Sequence, residues 1–145
     1  SQLGAVAPWA THVSPVDDVA AAALALVEQI TAESPAVSDL VVVIENVGDL
    51  AGGPAEDDVQ ELLKACRAFD HFVIAEGETS TLSGWGLMQT VKMNKYGMAM
   101  QPDDSDGDTV FSTSFPRVRR ADFPAGRGLF VRGGRVYRVQ VATPD

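Results

Sequence analysis

The residues best placed to do chemistry stand at the ends of two short apolar runs. Leu40 to Ile44 is rich in valine and isoleucine and stops abruptly at Glu45 and Asn46, with Asp49 close behind. His71 to Ala75 stops at Glu76-Gly77-Glu78-Thr79-Ser80-Thr81. A continuous apolar run of this kind reads as a strand buried on both faces, as in the middle of a parallel sheet. Open α/β sheets bind ligands outside the C-terminal tips of such strands. A carboxylate at such a tip can help hold magnesium on a nucleotide. The plain alternative for the first run is a core strand with a solvated polar end. For the second loop it is turn chemistry plus a helix cap, which Ser and Thr both favour.

Other reactive residue types lack a pattern. Cys66 sits among Leu62, Leu63 and Phe69 and reads as a packed helix residue rather than a nucleophile. His12 and His71 have no metal-ligand spacing, and His71 reads as the polar start of a strand. Asp103 to Asp108 resembles a calcium loop in composition, but the bidentate glutamate that such a loop needs is missing, so an exposed acidic loop is expected. No G-x-x-x-x-G-K-[ST] phosphate loop occurs: Gly52-Gly53-Pro54 and Gly133-Gly134 are turns without a lysine placed for phosphates.

The length of 145 residues fits one domain with a sizeable core. A formal net charge of −9 argues against a free-standing nucleic-acid binder. The charge is uneven. Every lysine or arginine after Lys95 lies between Arg117 and Arg138, whereas acids crowd Glu56-Asp57-Asp58 and Asp103 to Asp108. An acidic body with a basic end suggests head-to-tail contact or a phosphate-facing edge; the alternative is a solvated hairpin with Arg outward and Val inward. A lone cysteine precludes an internal disulfide and suits a reducing compartment. No apolar stretch approaches the ~20 residues of a membrane span. No basic region followed by an apolar core marks a secretory leader.

Three helices are expected to position the two tips. Ser14-Pro15-Val16-Asp17 reads as a helix start, with Ser14 capping, Pro15 first in the helix, and Asp17 and Asp18 complementing the dipole. Val19, Ala23, Leu26, Val27 and Ile30 make its apolar stripe, and Ser34-Pro35 closes it. Pro54 is placed to begin a second helix whose buried face is Val59, Leu62, Leu63, Cys66 and Phe69. A third is expected from about Ser83 to Tyr96, with Leu87, Met88, Val91 and Tyr96 inward and Gly97 as a left-handed cap. A third apolar strand follows at Met98–Gln101. Leu129–Arg132 and Val136–Val141 then form a hairpin across Gly133-Gly134. The sequence therefore predicts an α/β fold of three parallel strands closed by an antiparallel hairpin.

Together, VVVIENVGDL, VIAEGETSTL, GWGLMQTVKMNKYGMAMQPD and FPRVRRADFPAGRGLFVRGGRVYRVQVA closely resemble the C-terminal half of an FtsK/SpoIIIE-type ATPase domain. That family comprises RecA-like P-loop motors, including hexameric DNA translocases and the membrane-anchored EccC/EssC ATPases of type VII secretion. The likeness runs from about Asp17 onward, and PAGRG with the closing VQVA strand is its most specific part. It implies a partial RecA-like three-layer fold, with residues 1–145 as the C-terminal portion of one ATPase domain whose Walker A half lies upstream, or else a degenerate module.

The family's Walker B strand ends in two acidic residues, one supporting magnesium and one positioning water. By position these are Glu45 and Asn46, with Asp49 following. Asn46 cannot ionise, which departs from the pattern. Thr79 and Ser80 match the sensor region that touches the γ-phosphate. Arg117, Arg119, Arg120 and Arg127 fall where a subunit interface is expected. The resemblance implies no cofactor in this chain alone, and ATP with Mg through Glu45 only in the complete domain. It implies neighbouring ATPase domains or ring subunits as partners, DNA or secreted protein as cargo, and a place at the cytoplasmic face of the membrane through a parent protein. A second class is a non-hydrolysing assembly or cargo-peptide-binding module of a secretion machine. A flavodoxin-like receiver also fits the acidic tips. It fails on the arginine hairpin and on the lack of a lysine after the third strand.

Overall fold

The computed structural model describes residues 9–14, 18–33 and 39–142. The chain divides into two compact units, Ser1–Glu78 with Gly84–Val91, and Thr79–Ser83 with Lys92–Asp145.

In the first unit the order is α1 (Val19–Thr31), β1 (Val41–Ile44), a 3₁₀ turn (Val47–Leu50), α2 (Glu56–Ala68), β2 (Phe72–Ala75) and, after the other unit's short insertion, α4 (Leu87–Lys92). α1 and α2 pack on each other, and α2 packs on β2. The stripes read from the sequence are the buried ones: Ala23 and Ile30 on α1, and Val59, Leu62, Leu63 and Cys66 on α2. Leu87 and Met88 complete this core together with Val47 and Leu50 of the 3₁₀ turn.

Several boundaries differ from expectation. α1 begins after Asp18, which makes no side-chain cap, so Ser14 lies upstream of the helix; Pro15, Asp17 and the Ser34-Pro35 stop fall outside the described residues. α2 begins at Glu56 behind Ala55 rather than at Pro54. Phe69 is exposed because the helix ends at Ala68, and Phe69, as the C-cap residue, leaves helical register.

β1 and β2 run parallel with Val41 opposite Phe72 and Ile44 opposite Ala75. The expectation of a strand buried on both faces in a three-stranded parallel sheet is corrected. This sheet has two strands among the described residues, so both are edges, and Val41, Phe72 and Ile74 stand exposed. The other alternating set, Val42, Ile44, Val73 and Ala75, is half-buried.

The second unit holds α3 (Thr79–Leu82), β3 (Gly97–Met100), α5 (Asp106–Phe111), a 3₁₀ turn (Arg120–Asp122), β4 (Arg127–Arg132) and β5 (Arg135–Gln140). Its sheet is antiparallel in the order β3-β4-β5. The third apolar strand therefore joins the hairpin, not the parallel pair, which corrects the sequence reading. Its Gly-Met-Ala-Met pattern alternates half-buried and exposed, the signature of an antiparallel sheet with one solvated face. Leu129 and Val131 anchor the covered face. Gly133 and Gly134 take φ of 56° and 72°, the paired positive angles that a two-residue hairpin requires, so this turn is as expected.

Of the expected helix from Ser83 to Tyr96 only Leu87–Lys92 is helical, as α4; the short α3 is a separate helix that ends just before that span. Gly86 separates them with φ 62°, outside the helical range. α4 stops at Lys92, so Tyr96 is not on a helix and is exposed. Lys95, not Gly97, takes the left-handed angle, and Gly97 opens β3. The acidic loop is half helical: α5 starts inside it. Its carboxylates serve local backbone and hydroxyl donors: Asp106 accepts from Asp103 N–H, Asp104 from Val118 N–H and Asp108 from the Ser114 hydroxyl. Among the described residues, no helix is long and apolar enough to cross a membrane.

Candidate functional site

The site is built where β1 and β2 end side by side. Parallel pairing continues one step beyond both strands: the Glu76 amide donates to the Ile44 carbonyl at 2.9 Å, and the Glu76 carbonyl accepts the Val47 N–H at 2.8 Å. Between these two bonds the Glu76 carboxylate reaches across to the backbone N–H of Asn46, with Oε2 at 3.1 Å. Glu76 thus ties the tip of one strand to the tip of the other through three hydrogen bonds.

Asn46 sits at φ 49°, ψ 51°, in the left-handed region. Asparagine visits this region more readily than most residues, because its short amide can bond locally. The bend it makes turns the chain straight into the Val47–Leu50 turn, whose Val47 and Leu50 are buried. Glu45 is half-buried; Asn46 and Asp49 are exposed. Glu45, Asn46 and Asp49 therefore share one tip, and the structure brings Glu76 to the same place. The sequence singled out the loop that contains Glu76 but not this contact, which a lone glutamate after a strand cannot announce.

A second carboxylate, Glu56, was legible only as a first-turn acid of α2. Its Oε2 accepts the Gly52 N–H at 2.6 Å, and its Oε1 accepts the Leu87 N–H at 3.1 Å. It thereby holds the loop after β1 and satisfies an otherwise orphaned N–H at the start of α4. Gly86 makes room for it: a side chain there would run into Oε1, and φ at this residue is 62°. The Gly52 N–H, and after it the Leu87 N–H, hold the Glu56 carboxyl below the usual glutamate range against the opposing pull of burial. Burial pushes the Cys66 thiol up, which makes it less nucleophilic and agrees with its reading as a packed helix residue.

No protein-family model, curated protein or solved structure matches this chain.

The remaining expected site residues lie in the second unit. Thr79 and Ser80 open α3, where the Ser80 carbonyl accepts the Ser83 hydroxyl at 2.8 Å. Arg117, Arg119 and Arg120 are exposed around the 3₁₀ turn. Arg127 is partly engaged within its own unit: Nε donates to Gln140 Oε1 at 3.2 Å and Nη1 to the Asp122 carbonyl at 3.4 Å. Among the described residues, no three His, Cys, Asp or Glu side chains converge as metal ligands.

Proposed function

We propose that this chain is the C-terminal portion of an FtsK/SpoIIIE-type motor ATPase domain that moves DNA or secreted protein. The observation that supports this reading is the joined pair of parallel strand tips, with Glu45, Asn46, Asp49 and Glu76 at one place. Such tips are where open α/β sheets receive ligands. In the complete domain Glu45 would support the magnesium of a bound nucleotide, which neutralises charge on the phosphates. Asn46 orients water by hydrogen bonding, but an amide accepts no proton at neutral pH. Thr79 and Ser80 would meet the γ-phosphate, and Arg117, Arg119, Arg120 and Arg127 a neighbouring domain or ring subunit. The parent protein would hold the domain at the cytoplasmic face of the membrane.

A second reading is favoured by Asn46 itself. With an amide where the family has a carboxylate, turnover is slow, and nucleotide binding serves assembly or the docking of cargo peptide. The test is steady-state ATP hydrolysis by the complete domain, wild type against Asn46→Glu. A slow wild type accelerated by the substitution supports a nucleotide site with a missing base. No nucleotide binding by the complete domain refutes both readings.

A further inference from the structure

The exposed face of the antiparallel sheet has the make-up of a protein-docking surface. Strand register places Met98, Phe130 and Tyr137 in one row across β3, β4 and β5. Tyr96 packs edge-on against Phe130, with ring centroids 5.2 Å apart, and Phe130 lies 6.5 Å from Tyr137. These rings form a preordered cluster, yet Tyr96, Met98 and Tyr137 remain 58%, 51% and 47% exposed. The opposite face of the same strands carries the buried Leu129 and Val131. A sheet with one covered face ordinarily presents polar residues on the other. Here the solvent face carries tyrosine, methionine and phenylalanine, and it ends in arginine. Tyr, Phe, Met and Arg are the residue types enriched at interface centres.

Arg132 and Arg135 supply the second observation. They are direct cross-strand partners at the hairpin end, by alternation on the same face as Phe130 and Tyr137. Like charges directly opposite each other destabilise a ladder. Within the described residues, neither guanidinium takes part in an ion pair or side-chain hydrogen bond. Arg127 and Arg138, by contrast, are engaged inside the unit, Arg138 lying 5.4 Å over the Phe123 ring. A carboxylate set between Arg132 and Arg135 would relieve their repulsion through charge-assisted hydrogen bonds.

We propose that this face docks a protein segment that presents apolar side chains to the Tyr96–Phe130–Tyr137 row and a carboxylate to Arg132 and Arg135. The inference is independent of nucleotide binding at the strand tips. A single-stranded nucleic acid fits less well. Base stacking needs free ring faces, and the central Phe130 is half-buried and met edge-to-face at 81° by Tyr96.

The test uses the chain with three fluorescent probes: a short peptide alternating leucine with glutamate, its counterpart with lysine for glutamate, and an oligothymidylate. The acidic peptide should bind, and its affinity should fall with added salt. Tyr137→Ala and the pair Arg132→Glu with Arg135→Glu should each weaken it about tenfold or more. Amide and methyl shift mapping on the unaltered chain keeps the test free of folding defects: shifts should move at Tyr96, Met98 and Tyr137. The proposal is overturned if the acidic peptide does not bind, if the lysine peptide or oligothymidylate binds as well, or if the shifts fall instead on Val41, Phe72 and Ile74.

Discussion

Leu87→Ala and Trp85→Ala test the packing of the first unit most sharply, because the two residues are near neighbours with opposite environments. Leu87 is fully buried, whereas Trp85 is 83% exposed. Replacing Leu87 by Ala removes three carbons from the core. At ~0.8 kcal/mol per buried CH₂ the transfer term is about 2.4 kcal/mol. The cavity left behind carries the total to about 3–5 kcal/mol, at the lower end if the short helix α4 settles inward. A domain of this size has roughly 5–15 kcal/mol in all, so this loss is a large share. Removing Trp85 deletes a much larger apolar side chain yet should change stability by only about 0.5 kcal/mol. Urea unfolding followed by circular dichroism reads both differences as shifts in midpoint at constant slope. A cost below about 1 kcal/mol for Leu87→Ala, or an equal cost for Trp85→Ala, would show that α4 is not packed as described.

Two further expectations concern ionisable side chains. The folded Glu56 carboxyl titrates below its unfolded range, so its contribution to stability is present above about pH 4.3 and is lost as pH falls through the folded value. Glu56→Gln should therefore flatten that part of the acid-unfolding profile, and an unchanged profile would remove Glu56 from its role between Gly52 and Leu87. The buried Cys66 thiol should react with a disulfide reagent at pH 8 only at the rate of unfolding; fast stoichiometric labelling of the folded chain would contradict its burial.

Much of this was written in the sequence, for identifiable reasons. The 3.6-residue spacing of Val59, Leu62, Leu63 and Cys66 marked α2 and its buried face, because long periodic stretches average out local preference. Gly133-Gly134 marked the hairpin turn, because few other pairs tolerate two positive φ angles. Strand partners were not legible. The four residues Gly97–Met100 carry no label for parallel or antiparallel neighbours, and pairing with Arg127–Arg132 is a long-range choice. Helix ends were misjudged where a cap signal was outvoted: Pro54 suits a first helical position, yet the turn closed by Glu56 N–H to the Gly53 carbonyl delays α2 by two residues. At the candidate site, Glu45, Asn46 and Asp49 stood out because an apolar run ends on polar residues. Glu56 was missed as an organiser because its two acceptor bonds span the loop after β1 and a helix 31 residues later.

In the proposed function the strand tips form half of a nucleotide site whose Asn46 supplies no base. Steady-state ATP hydrolysis by the complete domain tests it, with Asn46→Asp beside Asn46→Glu. Aspartate tolerates the left-handed conformation better than glutamate, so it separates lost chemistry from a backbone cost of about 1–2 kcal/mol. Slow wild-type turnover that rises about 10²- to 10⁴-fold when position 46 gains a carboxylate is the predicted result. Substantial wild-type turnover, unchanged by either substitution, would contradict it.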